Sequence, residues 1–258
     1  MNAIWNWPLA VIVIGLLLLM LAGHELGMRA HTRLKARADN KKSGSSDEGF
    51  ILSGVLGLLA LLMAFAFSMS VNRYENRREL MMAEANAISS FDLMAGVARE
   101  PFAGQLRAGL KPYAVARLAA STSEGPERDR ALGQAAAARD AVEARVREAM
   151  LAHQGTPAAV ALGQAYDAMS DAAATRDALR AAHLPNVVLA LLAAYCIVSA
   201  GMLGYAVASE RSRHRLASWT LFLLLALAFG TILDLDRPRS GAITVSQEPL
   251  REVVQGLH

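Results

Sequence analysis

Apolar and polar positions fall into blocks along this chain. Four blocks are almost free of charge, at 8–28, 50–71, 185–208 and 216–235. Each approaches the length of about 20 residues that crosses a hydrocarbon layer of roughly 30 Å. Backbone groups facing lipid must be satisfied within their own segment, so each block predicts a helix. The second block does not end where its apolar character ends. It passes from "GLLALLMAFAF" to "NRYENRREL" with no Gly or Pro between Gly57 and Gly96. This predicts one helix over 58–95, about 57 Å long at 1.5 Å per residue. Half of it fits a membrane and the rest projects as a stalk. Phe67, Tyr74, Met81, Ile88 and Ala95 recur every seven residues, flanked by Leu80 and Phe91, as in a helix-packing seam. The other side carries Asn72, Glu75, Asn76, Glu79 and Asn86. That polar face is read either as solvated surface or as the wall of a water-filled vestibule.

The remaining pattern is also helical. "EGPERDRALGQAAAARDAVEARVREAMLAH" opens with Pro and acidic residues, as helix starts do. Leu132, Val142, Val146 and Met150 give it an apolar edge. "TPAAVALGQAYDAMSDAAATRDALRAAH" has a matching edge at Val160, Tyr166, Met169 and Ala173. "RADNKKSGSSDEG" reads as a flexible linker. The organisation expected is all-α. Residues 1–71 form two transmembrane helices with a basic linker at 29–49. Residues 72–184 form an extramembrane Ala-rich bundle, 185–236 a transmembrane hairpin, and 237–258 a tail docking on the bundle side. Small residues at four-residue spacing, Gly23 and Gly27 in the first span and Ala200, Gly204 and Ala208 in the third, predict close helix packing.

Charge sets the topology. Six of the 26 basic residues lie between the first two spans: Arg29, Arg33, Lys35, Arg37, Lys41 and Lys42. Arg211, Arg213 and Arg215 lie between the last two. Basic short loops remain cytoplasmic. The N-terminus, bundle and C-terminus are then expected outside a bacterial inner membrane, with Trp5 and Trp7 in an aromatic belt. The first span reads as a retained anchor, because no basic segment precedes it. The basic clusters are topology signals, and no nucleic-acid partner is expected.

Chemistry is sparse. A single cysteine, Cys196, excludes a disulfide framework within the chain. No phosphate loop, paired-Cys motif or metal-spaced His cluster occurs, so neither an enzyme nor a cofactor is expected. Ionisable residues at the membrane boundaries are the informative ones. His24 and Glu25 lie in the last third of the first span. Asp234 and Asp236 close the fourth, followed by Arg237 and Arg239. They read as interfacial anchors and ion pairs, or as stations on an ion route.

The run "GLLALLMAFAFSMSVNRYENRRELMMAEANAI" resembles the second span and following helix of bestrophin-type anion channels. "GHELG" and "LDRPRSGAITVSQEPL" resemble the bacterial bestrophin-like membrane family more closely. The resemblance implies a homo-oligomer, with a pentamer favoured, whose second span lines a central pore. It places the pore neck at Leu59, Met63 and Phe67, where apolar rings gate by dewetting. In a straight helix such a neck and the Glu75–Glu79 face point different ways, so this model requires a bend near 68–72. The resemblance also places the helical domain in the cytoplasm, opposite to the basic loops. The expected function is an ion channel or pore for small inorganic ions, embedded in membrane lipid. The competing reading is a membrane-anchored sensor or assembly protein whose bundle binds a ligand or partner. A proton-driven helper using Glu25 or Asp234 is the third.

Overall fold

The computed structural model describes residues 7–37, 45–180, 183–208, 215–237 and 241–257. All its elements are helices: α1 (Leu9–Arg37), α2 (Ser45–Val97), α3 (Phe102–Thr122), α4 (Gly125–Ala152), α5 (Pro157–Arg180), α6 (Asn186–Val207), α7 (Arg215–Asp236) and α8 (Glu248–Gly256). Four of them, α1, α2, α6 and α7, are long and apolar enough to cross a membrane. Two details of the sequence reading change. The segment expected to be a linker contributes to both neighbouring helices. "RAHTRLKAR" continues α1, since Ala, Leu, Lys and Arg propagate a helix well, and α2 begins at Ser45. An additional helix, α3, occupies a stretch whose Gly104, Gly109 and Pro112 look like breakers. Pro112 sits inside α3 on its exposed side.

The chain divides into two compact units. The first comprises Met1–Tyr74 and His183–Thr244. Its tightest contact is α1 against α6, and glycine makes it possible. A Cβ on Gly27 would lie 2.0 Å from the Gly201 carbonyl oxygen, and one on Gly204 would lie 2.1 Å from that of His24. Around this seam Leu16, Met20, Leu192, Cys196, Ala200, Phe222, Phe229 and Leu233 form a core. The α2 helix adds Leu59, Met63 and Ala66 to it.

The second unit comprises Glu75–Ala182 and Val245–His258. Here α3 packs on α4, α4 on α5, and α8 on α3. Ala131, Ala135 and Ala149 of α4 are buried with Val142 and Val146, so small side chains again set the helix spacing. Ile88, Phe91 and Ala95 of α2 enter the core with Leu106, Leu110, Tyr113, Met169, Leu250 and Leu257. The α8 end is fastened by Lys111 Nζ, which donates to the Leu257 carbonyl at 2.9 Å.

Candidate functional site

The candidate site is the face of α2 that the described residues of the first unit leave uncovered, and the exposed face of α2 in the second unit is described beside it. Successive helical residues turn by about 100°. In the first unit the covered face of α2 carries Leu59, Met63, Ala66 and Ser70, all buried. On the opposite face Leu61, Phe65, Ser68 and Asn72 are exposed. Further along α2, in the second unit, Met81, Glu84, Ile88, Phe91 and Ala95 are covered. Glu75, Glu79, Met82, Asn86 and Leu93 are exposed there. In the first unit the chemistry of this face changes from apolar and aromatic at Leu61 and Phe65 to polar at Ser68 and Asn72. In the second unit the exposed face of α2 begins with the acids Glu75 and Glu79.

The neck expected at Leu59, Met63 and Phe67 does not fall on one face. Leu59 is 1% exposed and Met63 8%, both packed into their own unit, whereas Phe67 is 45% exposed. Four-residue steps advance by about 40° each, which carries this trio from the covered face to its flank. The five polar-face residues, Asn72, Glu75, Asn76, Glu79 and Asn86, are all exposed. Glu75 also lies 3.7 Å from Arg78 on the next turn. Within the first unit Phe65, Ser68 and Asn72 share one helical phase, and within the second Glu75 and Glu79 share one.

The boundary residues are not brought together. His24 is fully buried, with its ring edge-on to Phe222 at 5.3 Å between centroids. Glu25 accepts from Arg215 at 2.7 Å, and that guanidinium sits 5.9 Å over the Trp219 ring. Asp234 and Asp236 serve the other end of the first unit. Asp234 accepts the N–H groups of Ala242 and Ile243, both at 3.0 Å. Gly241 packs closely beside it, and a Cβ there would displace the Asp234 carboxylate. Asp236 is wholly buried and accepts the Leu184 N–H at 2.8 Å, with Arg73 Nε and His183 Nδ1 each 3.7 Å away. Arg237 donates to the Trp7 carbonyl at 2.9 Å. Trp5, Lys41, Lys42, Arg211, Arg213 and Arg239 lie outside the described residues.

The second unit contains a charged cluster that pattern reading missed. Glu84, fully buried on α2, accepts from Arg117 of α3 and Arg176 of α5. Arg117 also donates to Asp177 at 2.6 Å, and Arg176 to Gln247, just before α8, at 2.6 Å. Burial works against the Arg117 charge, but the hydrogen bonds and charges of Glu84 and Asp177 outweigh it and raise its pKa. Tyr113, buried beside this cluster, is pushed up to about 12, chiefly by burial. The available signal was Glu84 itself: an acid between Met81 and Ile88 on the covered stripe needs an internal partner. Among the described residues no group of three or more His, Cys, Asp or Glu is placed to hold a metal ion.

A family model, the bestrophin-like domain, matches residues 15–250. No curated protein matches the sequence. Among solved structures, a point variant of a bacterial bestrophin homologue from Klebsiella pneumoniae superposes with a TM-score of 0.69 at 10% identity, covering 95% of this chain and 97% of that one. A second variant of that homologue gives 0.64 at 12% identity, covering 98% and 96%. A structure described as a membrane protein variant gives 0.70 at 11% identity, covering 95% and 97%. These likenesses establish a shared fold, and the family match spans nearly the whole sequence: the chain belongs to the bestrophin-like family.

Proposed function

We propose that this membrane protein is an oligomeric pore for small inorganic ions, with the uncovered face of α2 turned to a central axis. The observation that carries the reading is that face. Leu61 and Phe65 would form an apolar constriction able to gate by dewetting. Ser68 and Asn72 would then line a polar passage beyond it, and the exposed Glu75 and Glu79 of the second unit are proposed separately as a vestibule surface. This stripe replaces Leu59 and Met63 as the lining, with Phe67 on its flank. A pentamer is the expected assembly, by analogy with the bestrophin-type channels that the second span resembles. The basic segments flanking the spans favour an inner membrane location, with the bundle and both termini extracytoplasmic. No catalytic or cofactor role is assigned to the chain.

Native mass spectrometry in nanodiscs gives the subunit number, and ion flux from proteoliposomes gives the activity. Removing the aromatic ring in Phe65→Ala should relax the constriction and raise flux, whereas Leu59→Ala should lower stability without altering selectivity. A monomer without flux would refute the pore. A groove of about 420 Å³ within the second unit favours a second reading, a sensor. It lies between α2 and α8 and is lined by Asn86, Ser89, Asp92, Glu252 and Val253, among others.

A further inference from the structure

We infer that Asp236, acting through Arg73, sets the rotational register of α2 and so decides which face of that helix the first unit leaves uncovered. Its functional meaning rests on the proposed pore; its geometry does not. The apolar contacts of α2 in this unit come from Leu59, Met63 and Ala66, with partly buried Leu62 beside them. Leucines, a flexible methionine and a methyl group attract without direction and can slide, so they fix rotation weakly. The next side chains on the covered face are Ser70, buried, and then Arg73, 26% exposed at its side chain. Arg73 offers the first charged contact on that face, an ion pair 3.7 Å from a carboxylate with no solvent exposure.

That carboxylate is itself immobilised. It ends α7, accepts the Leu184 N–H at 2.8 Å and has His183 at 3.7 Å. Two residues earlier, Asp234 holds the returning backbone at Ala242 and Ile243. Asp236 is therefore a fixed post that ties the end of α7, the entry to α6 and the covered side of α2. A rotation of α2 that exchanged Phe65 for Phe67 on the uncovered face would carry Arg73 away from this post. In the pore, Asp236 would be a positioning residue for Phe65, Ser68 and Asn72 without touching an ion.

The test is a nitroxide scan of the full-length protein in nanodiscs. Single cysteines are placed in turn at Leu61, Ala64, Phe65, Phe67 and Ser68 in a Cys196→Ser background. Collision rates with oxygen and with a water-soluble nickel chelate give the phase of exposure around α2. The starting protein should peak at the positions of Leu61, Phe65 and Ser68. Arg73→Ala should move that peak toward the position of Phe67 and change collision rates there severalfold. Arg73→Lys, which retains a charge of similar reach, should restore the original phase. Arg73→Ala is the informative variant because Asp236→Asn risks loss of folding. An unchanged phase in folded Arg73→Ala protein would overturn the inference, as would a Lys variant shifted as far as the Ala variant. A stripe that collides with oxygen and not with nickel would refute the pore while leaving the register result standing.

Discussion

The two units hold the same helix by different means. In the first, α2 meets its neighbours through Leu59, Met63 and Ala66 and gains an ion pair at Arg73. In the second, Ile88, Phe91 and Ala95 enter a core, and among them Glu84 is clasped by two arginines. The difference matches the proposed placement of the first unit in lipid and of the second in water. In lipid there is no hydrophobic drive between helices, so close backbone approach and a few polar ties do the holding. In water, apolar burial supplies the drive. A buried charge is then tolerable only when fully partnered, and in return it selects one arrangement of α2, α3, α5 and the segment before α8.

The largest effect expected from breaking this comparison is in the second unit. Glu84→Ala leaves buried Arg117 and part-buried Arg176 without their shared acid, and loss of one partner of such a group costs about 3–5 kcal/mol. Denaturant unfolding followed by circular dichroism should show that loss. Glu84→Gln retains a hydrogen-bond acceptor and should fall between Glu84→Ala and the parent. If Glu84→Ala unfolds like the parent, the cluster is incidental to the fold.

The first unit should respond to volume and not to charge. Gly27→Ala forces a Cβ to within 2.0 Å of the Gly201 carbonyl, so α1 and α6 must separate. Overpacking of this kind costs about 1–3 kcal/mol. Gly201→Ala is the control on the same seam: its Cβ would meet the Gly23 carbonyl at 3.4 Å, an ordinary contact. Thermal stability in detergent should fall for Gly27→Ala and hold for Gly201→Ala. Equal behaviour of the two would mean that the seam is not close-packed.

The sequence made the four spans, the unbroken second helix and the glycine spacing legible, because each depends on local pattern alone. The phase of α2 was not legible. A strict seven-residue line drifts by about 20° per heptad on a straight helix. Phe67, Met81, Ile88 and Ala95 therefore lie on one sequence repeat but not on one face. Their exposure falls from 45% at Phe67 to 2% at Met81 and 0% at Ile88 and Ala95. Periodicity also cannot say whether an apolar seam faces its own chain or another copy; Leu59 and Met63, which the family resemblance places at a pore neck, pack into the core of the first unit. Arg117 and Arg176 were hidden for another reason: they lie 33 and 92 residues from Glu84 along the chain.

The smallest effect at neutral pH belongs to Tyr113, and it sharpens the contrast between a partnered and an unpartnered buried group. Its hydroxyl is buried in the second unit with no hydrogen-bond partner among the described residues, unlike that of Tyr166, which donates to Glu143 at 3.2 Å. Tyr113→Phe deletes an unsatisfied group and keeps the ring, so stability near pH 7 should stay level or rise by up to about 1 kcal/mol. The alkaline range is where this residue matters. Burial holds its folded pKa at about 12 against 10.0 for an ordinary tyrosine. Between these values the unfolded chain releases the proton and the folded chain keeps it. Stability therefore falls as pH rises above 10, and the loss levels off once the folded form also ionises above about 12. Unfolding measured from pH 9 to 12 should show a shallower decline for Tyr113→Phe than for the parent. Tyr166, also raised to about 12, remains to cause part of the decline in both proteins. An identical decline in the two would mean that Tyr113 ionises freely in the folded chain, and that its surroundings are wetter than its burial beside Glu84 and Arg117 implies.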